Sequence, residues 1–333
     1  MEYRQFGQTD MSVSAVGFGC WAVSGTHGTT DTGQFEQAIQ HALDAGINCF
    51  DTAEACGMGI VGQVLGRALA SRRDDVCLVA KMGLGYPEAS NRRDSPRTRI
   101  MASLERSLHN LGTDHVDVYL VHWPDPTMPL EETFHVLDDV VRQGKARYVG
   151  VSNFRLSQLE AGMQLRRIDV VQYGWNFFDR RMQREIFPWC AAHGVGVMAH
   201  GSLAYGLLSG SFTAEAPSDE RRSKRDRLGG LNLFQAMFGE DDFRRNLRAV
   251  EEFKTLAAKY GKTLPQFALG WTLSNPAIHT ALVGIHRASE VDENLGALGW
   301  SISFQDRAAI EAIIARNEVV TEPPGWLEDD PVA

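Results

Sequence analysis

Short apolar segments alternate with amphipathic helical patterns along almost the whole chain, and this alternation limits the fold more than any other feature. Parallel strands need crossover connections of a dozen or more residues, which intervening helices supply. Eight segments have the length and composition of buried strands: 16–19, 47–51, 76–80, 116–121, 146–151, 170–172, 195–199 and 281–283. Eight such units favour a closed (β/α)8 TIM barrel, with a doubly wound open sheet as the alternative.

The predicted helices follow these strands at the expected intervals. In the first helix, Phe35, Ala38, Ile39, Ala42 and Leu43 repeat with helical spacing, and Gly46 ends the pattern. Ser95 and Pro96 predict an N-cap and a first helical residue. Further helices are predicted near 59–69, 155–165, 182–192, 242–260, 263–274 and 289–298. Residues 3–15 predict an N-terminal β-hairpin, and the absence of a linker predicts one domain over residues 1–333 with extra C-terminal helices.

Charge and cysteine content narrow the class of protein. The 333 residues carry a formal charge of −9, which argues against a general nucleic-acid binder. The five cysteines form no C-x-x-C motif, and the N-terminus does not read as a signal peptide. No apolar run approaches the roughly 18 residues that a membrane span needs. We therefore predict a cytoplasmic protein with reduced thiols and no membrane or nucleic-acid partner; the oligomeric state is not indicated.

Three of the predicted strands end on chemically capable side chains, Asp51, Lys81 and His122. In a barrel the carboxyl ends of the strands converge on one mouth, where active sites lie. A carboxylate can hold a buried lysine as a cation, and that cation lowers the pKa of a neighbouring proton donor. Each residue alone is consistent with a surface strand end or a structural salt bridge. Together, on successive strands, they favour a shared site.

Several segments resemble those of the aldo-keto reductases, and together they span nearly the whole chain in the expected order. The segments are DTAE at 51–54, VAK at 79–81, VHWPDP at 121–126, GVSNF at 150–154, VQY at 171–173 and ENLGAL at 293–298. The VHWPDP and GVSNF segments are the most specific. This resemblance implies a (β/α)8 barrel that binds NADP(H) without a Rossmann motif. It also implies hydride transfer between the nicotinamide and the carbonyl carbon of a small substrate.

The resemblance also implies roles for individual residues. Asp51, Lys81 and His122 correspond to three members of the catalytic tetrad, and Asp51 also borders the cofactor. Ser152, Asn153 and Gln172 would bind the nicotinamide carboxamide. Backbone amides at Gly201, Ser202, Leu203, Gly206, Leu208 and Gly210 would hold the pyrophosphate. The adenosine end would lie against Gly284, His286, Arg287, Glu290, Glu293 and Asn294. Trp21, which also borders the cofactor, and Trp123 would line the substrate mouth.

The fourth tetrad position, a tyrosine in the family, corresponds here to Cys56. A phenol has a pKa of about 10 and a thiol one of about 8.5, so Lys81 is expected to push the thiol towards thiolate, which cannot donate a proton. Three interpretations stay open. Cys56 is an inactivating change in an ordinary reductase, or it marks a slow enzyme in which His122 or water is the acid, or it is a reactive cysteine.

Two further departures concern the cofactor. His200 stands where the family usually places an aromatic residue that stacks on the nicotinamide. Glu290 stands where many members carry a residue that contacts the adenosine end, and a carboxylate near the ribose favours a free 2′-hydroxyl. With Arg287 nearby, NADPH is the predicted cofactor and NADH the alternative. A second function is a catalytically weak, nicotinamide-binding auxiliary protein, because such a protein tolerates loss of the donor phenol.

Two other patterns carry less weight. Residues 57–62 spell G-x-G-x-x-G, but they lie too far after their strand for a dinucleotide fingerprint, so a helix-opening loop is predicted. The basic run at 221–227 indicates a solvated loop, with a cofactor lid as the alternative. No H-E-x-x-H pattern or Cys/His cluster predicts a catalytic metal.

Overall fold

Eight parallel strands close into a barrel in the computed structural model, which describes residues 1–23, 31–54, 56, 59–82, 96–212 and 232–323. The strands are β3 (Val16–Gly19), β4 (Cys49–Asp51), β5 (Cys77–Met82), β6 (Val116–Val121), β7 (Ala146–Ser152), β8 (Val170–Gly174), β9 (Gly196–His200) and β10 (Thr280–Gly284). Pairing of β10 with both β3 and β9 closes the ring. The predicted (β/α)8 barrel is confirmed, and the open sheet is excluded.

A β-hairpin of β1 (Tyr3–Gln5) and β2 (Ser12–Ser14) precedes the barrel, as predicted. The turn between β1 and β2 covers the amino-terminal end of the barrel strands. Here the backbone N–H of Gln8 donates to the carbonyl of Gly194, which precedes β9, at 3.0 Å. Phe6 is fully buried there, together with apolar side chains of the barrel interior. The hairpin therefore closes one end of the barrel and leaves the carboxyl ends of the strands for the site.

Helices pack around the barrel. They are α1 (Thr32–Asp44), α2 (Ile60–Leu69), α3 (Arg97–Leu111), α4 (Leu130–Arg142), α5 (Leu156–Leu165), α6 (Ile186–His193), α7 (Asn232–Phe238), α8 (Glu240–Lys259), α9 (Leu264–Leu273), α10 (Ala288–Leu295) and α11 (Phe304–Arg316). The apolar face predicted for α1 is buried, and the Asp31 side chain caps this helix by accepting from the backbone of Gly33 and Gln34. No helix in the described ranges is long and apolar enough to cross a membrane.

Four details of the predicted helices were wrong. Helix α3 begins at Arg97, with Pro96 as its N-cap rather than its first residue, and Ser95 lies outside the described residues. Helix α6 begins at residue 186, four residues later than predicted. Helix α7 was not among the predicted helices. Helix α11 was missed because only Ile310 and Ile313 on it are buried, which leaves little apolar periodicity to detect.

Candidate active site

The alternation of side chains along the strands directs the polar residues into the barrel. Cys49, Val79, Val170 and Met198 all belong to the interior apolar cluster. Side chains two residues apart on a strand lie on the same face. The interior positions that follow at the carboxyl ends are Asp51, Lys81, Gln172 and His200. Each of these polar residues lies two positions after a buried interior side chain, so its own side chain also points into the barrel. This spacing explains the predicted convergence of the strand ends.

Asp51 and Lys81 form a buried ion pair at the centre of this mouth. The Lys81 Nζ lies 2.5 Å from Asp51 Oδ1 and 2.6 Å from Oδ2, and both residues are at most 6% exposed. Gln172 Nε2 donates to the same Oδ1 at 2.8 Å. A buried charge is tolerated where a partner and further hydrogen bonds compensate it, and both are present here. The arrangement holds an ammonium group in fixed position at the carboxyl end of β5.

Ser152, Asn153 and Gln172 form a continuous polar chain beside this pair. The hydroxyl of Ser152 donates to the carbonyl of Gln172 at 2.7 Å, and Asn153 Nδ2 donates to the carbonyl of His122 at 2.9 Å. Asn153 adopts a left-handed backbone (φ 63°), which asparagine tolerates better than most residues. Its Oδ1 is buried without a hydrogen-bond donor in the described part of the chain. An open amide acceptor of this kind fits the carboxamide N–H of a nicotinamide.

Cys56 lies in the loop after β4, which is tied to the neighbouring strand. The backbone of Thr52 donates to Val79 at 2.9 Å, and that of Glu54 donates to Lys81 at 3.0 Å. The Cys56 side chain is 3% exposed, and burial raises the pKa of its thiol to about 11 although Lys81 acts in the opposite direction. The expectation that Lys81 would produce a thiolate was wrong, because desolvation of the charged form outweighs the attraction.

Two histidines at the mouth are held neutral. Burial, followed by the charge of Lys81, lowers the pKa of His122 well below its ordinary value. Burial lowers the pKa of His200 to about 4. His200 Nδ1 also lies 3.3 Å from the hydroxyl of Tyr205, whose ring meets that of Trp21 edge-on at 5.7 Å. A neutral imidazole can donate one N–H to a carbonyl oxygen, but it is a poor source of a second proton at neutral pH.

Two residues of the mouth were missed by sequence reasoning. Tyr205 bridges Trp21 and His200 from a left-handed backbone conformation (φ 53°) that no sequence signal indicates for tyrosine. The side chain of Glu54 is 6% exposed, and it accepts from Ser103 Oγ at 2.6 Å and from Arg106 Nε at 3.0 Å. The sequence signal that could have identified Glu54 is its position directly after the Asp-Thr-Ala segment. Its contacts anchor the loop that carries Cys56 to helix α3.

The predicted pyrophosphate segment is a compact turn after β9. Gly201, Gly206 and Gly210 have positive φ angles, which glycine adopts without strain. The backbone N–H groups of Gly206 and Leu208 donate to the carbonyl of Leu203 at 3.0 and 3.1 Å. These two predicted phosphate donors are therefore already bonded within the turn. Ser202 is buried, and its hydroxyl donates to the carbonyl of Ala199 at 3.2 Å.

The residues predicted for the adenosine end gather around the start of α10. Glu290 accepts from the backbone N–H of His286 at 2.8 Å, and its other oxygen lies 3.1 Å from Arg287 Nε. Glu293 accepts from the hydroxyl of Thr263, and Asn294 is buried. Gly284 ends β10 and is exposed. Arg287 is thus partly neutralised by Glu290 on the same turn of helix.

The remaining predictions fall at the rim or outside the described residues. Trp21 and Trp123 are partly buried and pack against the main core cluster. Most of the G-x-G-x-x-G loop lies in described sequence, but residues 57 and 58 do not, and neither does the basic run 221–227. Among the described residues, no group of three or more His, Cys, Asp or Glu side chains is placed to hold a metal ion.

Comparison with known proteins agrees with this geometry. The family model "Aldo/keto reductase family" matches residues 15–315. Aldo-keto reductase YhdN of Bacillus subtilis is 32% identical over 98% of this chain and 96% of its own length. A probable voltage-gated potassium channel subunit beta of Arabidopsis thaliana is 32% identical over 90% of this chain and 91% of its own. The structure of the glycerol dehydrogenase AKR11B4 from Gluconobacter oxydans superposes with a TM-score of 0.83 at 30% identity, covering 99% and 98% of the two chains.

Proposed function

Because this chain belongs to the aldo/keto reductase family of oxidoreductases that act on carbonyls, we propose that it reduces small aldehydes or ketones to alcohols with NADPH. The observation that carries the proposal is the buried Asp51–Lys81 pair, which lies beside the open amide acceptor of Asn153. An ammonium group and an amide-binding group at one barrel mouth suit a carbonyl substrate and a nicotinamide placed side by side.

The residues present fit the cofactor. A bound reduced nicotinamide supplies the hydride that a carbonyl carbon accepts. Asn153 Oδ1 would accept from the carboxamide, while Ser152 and Gln172 hold Asn153 and Asp51 in place. Tyr205 orients the ring of His200, which would lie against the nicotinamide face. Fixing these groups before binding reduces the entropic cost of bringing the reactants together.

The substrate oxygen would be polarised by two groups. The ammonium of Lys81, held by both oxygens of Asp51, stabilises negative charge that develops on that oxygen. The neutral imidazole of His122 can donate one N–H to the same atom and orient it. Both interactions strengthen as the oxygen becomes an alkoxide, so they favour the transition state over the bound aldehyde.

Proton transfer is the step that Cys56 limits. The low pKa of His122 leaves it without a spare proton at neutral pH, which argues against its acting as the acid. The thiol of Cys56 keeps its proton because its pKa is raised to about 11, but its side chain is much shorter than a phenol. We infer that the proton reaches the alkoxide slowly, from the thiol or from water.

The test is consumption of NADPH, and of NADH in parallel, with a panel of small aldehydes by the native chain, Cys56→Tyr and Cys56→Ala. A positioned general acid contributes roughly 10²–10⁴-fold, so Cys56→Tyr should raise kcat by about 100-fold or more. Cys56→Ala separates the two proton sources, because kcat falls if the thiol donates and is unchanged if water does. Equal turnover by Cys56→Tyr and the native chain would show that proton transfer does not limit the reaction.

A second candidate function is a nicotinamide-binding auxiliary protein. It is favoured by Cys56 and by the similarity to proteins named as probable potassium channel subunits. This function predicts that NADPH binds, measured as quenching of tryptophan fluorescence, while neither the native chain nor Cys56→Tyr turns over any aldehyde. Failure of both nucleotides to bind would contradict both functions.

A further inference from the structure

A second buried ion pair lies over the end of β8, beside His200. Arg181 Nε and Nη2 each lie 2.6 Å from an oxygen of Asp179, and the two side chains are 5% and 0% exposed. Two parallel hydrogen bonds of this kind are the strong form of an arginine–carboxylate contact. Because a buried charge is costly unless it is paired with such geometry, the two side chains hold each other in one position.

A glycine at the end of β8 makes room for this pair at the edge of the barrel mouth. Val170 and Gln172 face the barrel interior, so Gly174 is the next interior position along the strand. A Cβ at Gly174 would lie 2.2 Å from Asp179 Oδ2. The carboxylate therefore occupies the space that a side chain at this position would fill.

This space is next to His200 on the neighbouring strand. Gly174 and His200 are paired in the register of β8 and β9, and neighbouring strands lie roughly 4.8 Å apart. The loop that leads from β8 to Asp179 is also bonded to the same residue, because the backbone N–H of Trp175 donates to the carbonyl of His200 at 3.2 Å. The sheet and the loop together keep the carboxylate close to the imidazole.

Asn176 fixes the loop that brings Asp179 to this position. The backbones of Asn176 and Asp179 exchange two hydrogen bonds at 3.3 and 3.2 Å, and Asn176 Oδ1 accepts from the backbone N–H of Phe178 at 2.8 Å. The Nδ2 of Asn176 donates to the carbonyl of Gly201 at 2.9 Å. The loop is therefore clamped to the turn that follows His200.

The two charges of the pair act on His200 in opposite directions. Among the described residues, the titratable groups that face this imidazole are those of Lys81, His122, Asp179, Arg181 and Tyr205. Burial is the largest influence and lowers the pKa of His200, while the Asp179 carboxylate raises that pKa and the Arg181 guanidinium lowers it. Because the two charges oppose each other, the pair adds little net charge beside the imidazole.

We propose that Asp179 and Arg181 are positioning residues of the nicotinamide pocket, which hold His200 in place and keep its surroundings electrically neutral. This rests on the proposed function, in which the His200 ring lies against the nicotinamide. Neutrality matters there because the oxidised nicotinamide carries a positive charge and the reduced one does not. An unpaired charge at this position would change the binding of NADP⁺ much more than that of NADPH.

The test is the ratio of the dissociation constants of NADP⁺ and NADPH, measured by quenching of tryptophan fluorescence from pH 6 to pH 8. The two nucleotides differ only at the nicotinamide, so effects on the phosphates and the adenosine end cancel in the ratio. Asp179→Asn leaves the Arg181 cation unpaired and should raise the ratio about tenfold at every pH, within the range for one charge at an effective dielectric constant of about 20. A purely structural role would weaken both nucleotides equally and leave the ratio unchanged.

Arg181→Met has a different signature because it leaves the Asp179 carboxylate unpaired. The ratio should fall below the native value at pH 8 and rise about tenfold towards pH 6, where a proton taken up by the carboxylate or by His200 cancels the charge. The double variant Asp179→Asn/Arg181→Met carries neither charge and should keep the native ratio. Arg184→Met, at an exposed position in the same segment, should also keep it.

Either single variant decides if the other does not fold, and a native ratio in a folded one would overturn the assignment. The native chain gives a test that needs no variant: its ratio should stay constant from pH 6 to pH 8, because no charge beside the nicotinamide would appear or vanish. A change of about tenfold in the native ratio would also overturn the assignment. Binding of neither nucleotide by the native chain would instead contradict the proposed function.

Discussion

Burial sets the chemistry of the single residues at the barrel mouth more strongly than their charged neighbours do. Cys56 and His200 both lie close enough to Lys81 for its charge to act on them, yet burial is the largest influence on the pKa of each. It stabilises the neutral form in both cases, raising the pKa of the thiol and lowering that of the imidazole. Around the Asp51–Lys81 pair, the mouth therefore contains neutral, proton-retaining groups.

The first prediction at this scale concerns thiol reactivity. With the pKa of Cys56 raised to about 11, about 0.1% of the thiol is thiolate at pH 8, against roughly a quarter for an ordinary cysteine. All five cysteines are buried. The native protein should therefore react slowly with a disulfide reagent such as DTNB, about tenfold faster for each pH unit between 7 and 9, whereas the unfolded chain should react rapidly at all five.

Cys56→Ser identifies the contribution of this thiol to the native rate. Fast reaction at pH 7 that the serine variant abolishes would reinstate the reactive-cysteine interpretation and contradict the raised pKa.

The second residue-scale prediction concerns Glu290 and the choice of nucleotide. Its carboxylate lies against Arg287 and the backbone of His286. The proposed cofactor site places the adenosine end of NADPH, with its 2′-phosphate, beside these residues. Glu290→Gln keeps an oxygen acceptor for the backbone but removes the negative charge. The ratio of kcat/KM for NADPH over NADH should rise about fivefold, consistent with roughly 1 kcal/mol for one partly exposed charge. Asp292→Asn, at an exposed position on the same helix, is the matched control and should leave the ratio unchanged.

At the scale of elements, the sequence predicted the strands better than the helix ends. Strands β4, β5 and β8 are apolar runs whose last interior positions are the polar residues Asp51, Lys81 and Gln172, so hydrophobicity alone located Asp51, Lys81 and the strand of Gln172. Helix ends depend on tertiary contacts. Helix α11 rests on the body of the protein through few buried side chains, and it was missed for that reason.

Close packing of α2 on α3 supports the loop that carries Cys56, and one glycine tests it. A Cβ at Gly66 would lie 2.2 Å from the carbonyl oxygen of Leu111, a backbone atom that cannot move aside. Gly66→Ala should lower the free energy of unfolding by about 2 kcal/mol, since overpacking exceeds the gain in helix propensity. Gly62→Ala, on the same helix, meets only the Asn110 side chain at 3.3 Å and should change stability by less than about 1 kcal/mol.

Denaturant unfolding of both variants and the native chain measures the difference. If Gly66→Ala and Gly62→Ala were equally stable, the spacing between α2 and α3 could widen at this contact without a loss of unfolding free energy.

At the scale of the whole molecule, the sequence specified the barrel but not its electrostatics. The resemblance and the count of strands both indicated eight units, and the closed ring confirms them. The pKa of Cys56 and the neutral state of His122 depend on how much protein surrounds each group, which no linear pattern records.

The last prediction concerns cooperativity and tests the single domain proposed over the chain. The first and last barrel strands pair directly, with Ala281 opposite Val16, so opening the ring anywhere exposes two strand edges at once. Ellipticity at 222 nm and tryptophan fluorescence should therefore report one coincident urea transition, because Trp21, Trp123 and Trp175 follow three different barrel strands, β3, β6 and β8. Under the proposed function, NADPH should move both curves together to higher urea, because its proposed binding site exists only in the folded barrel. Two separated transitions, or a nucleotide-induced shift in only one signal, would divide the chain into independently folding parts and contradict the single domain.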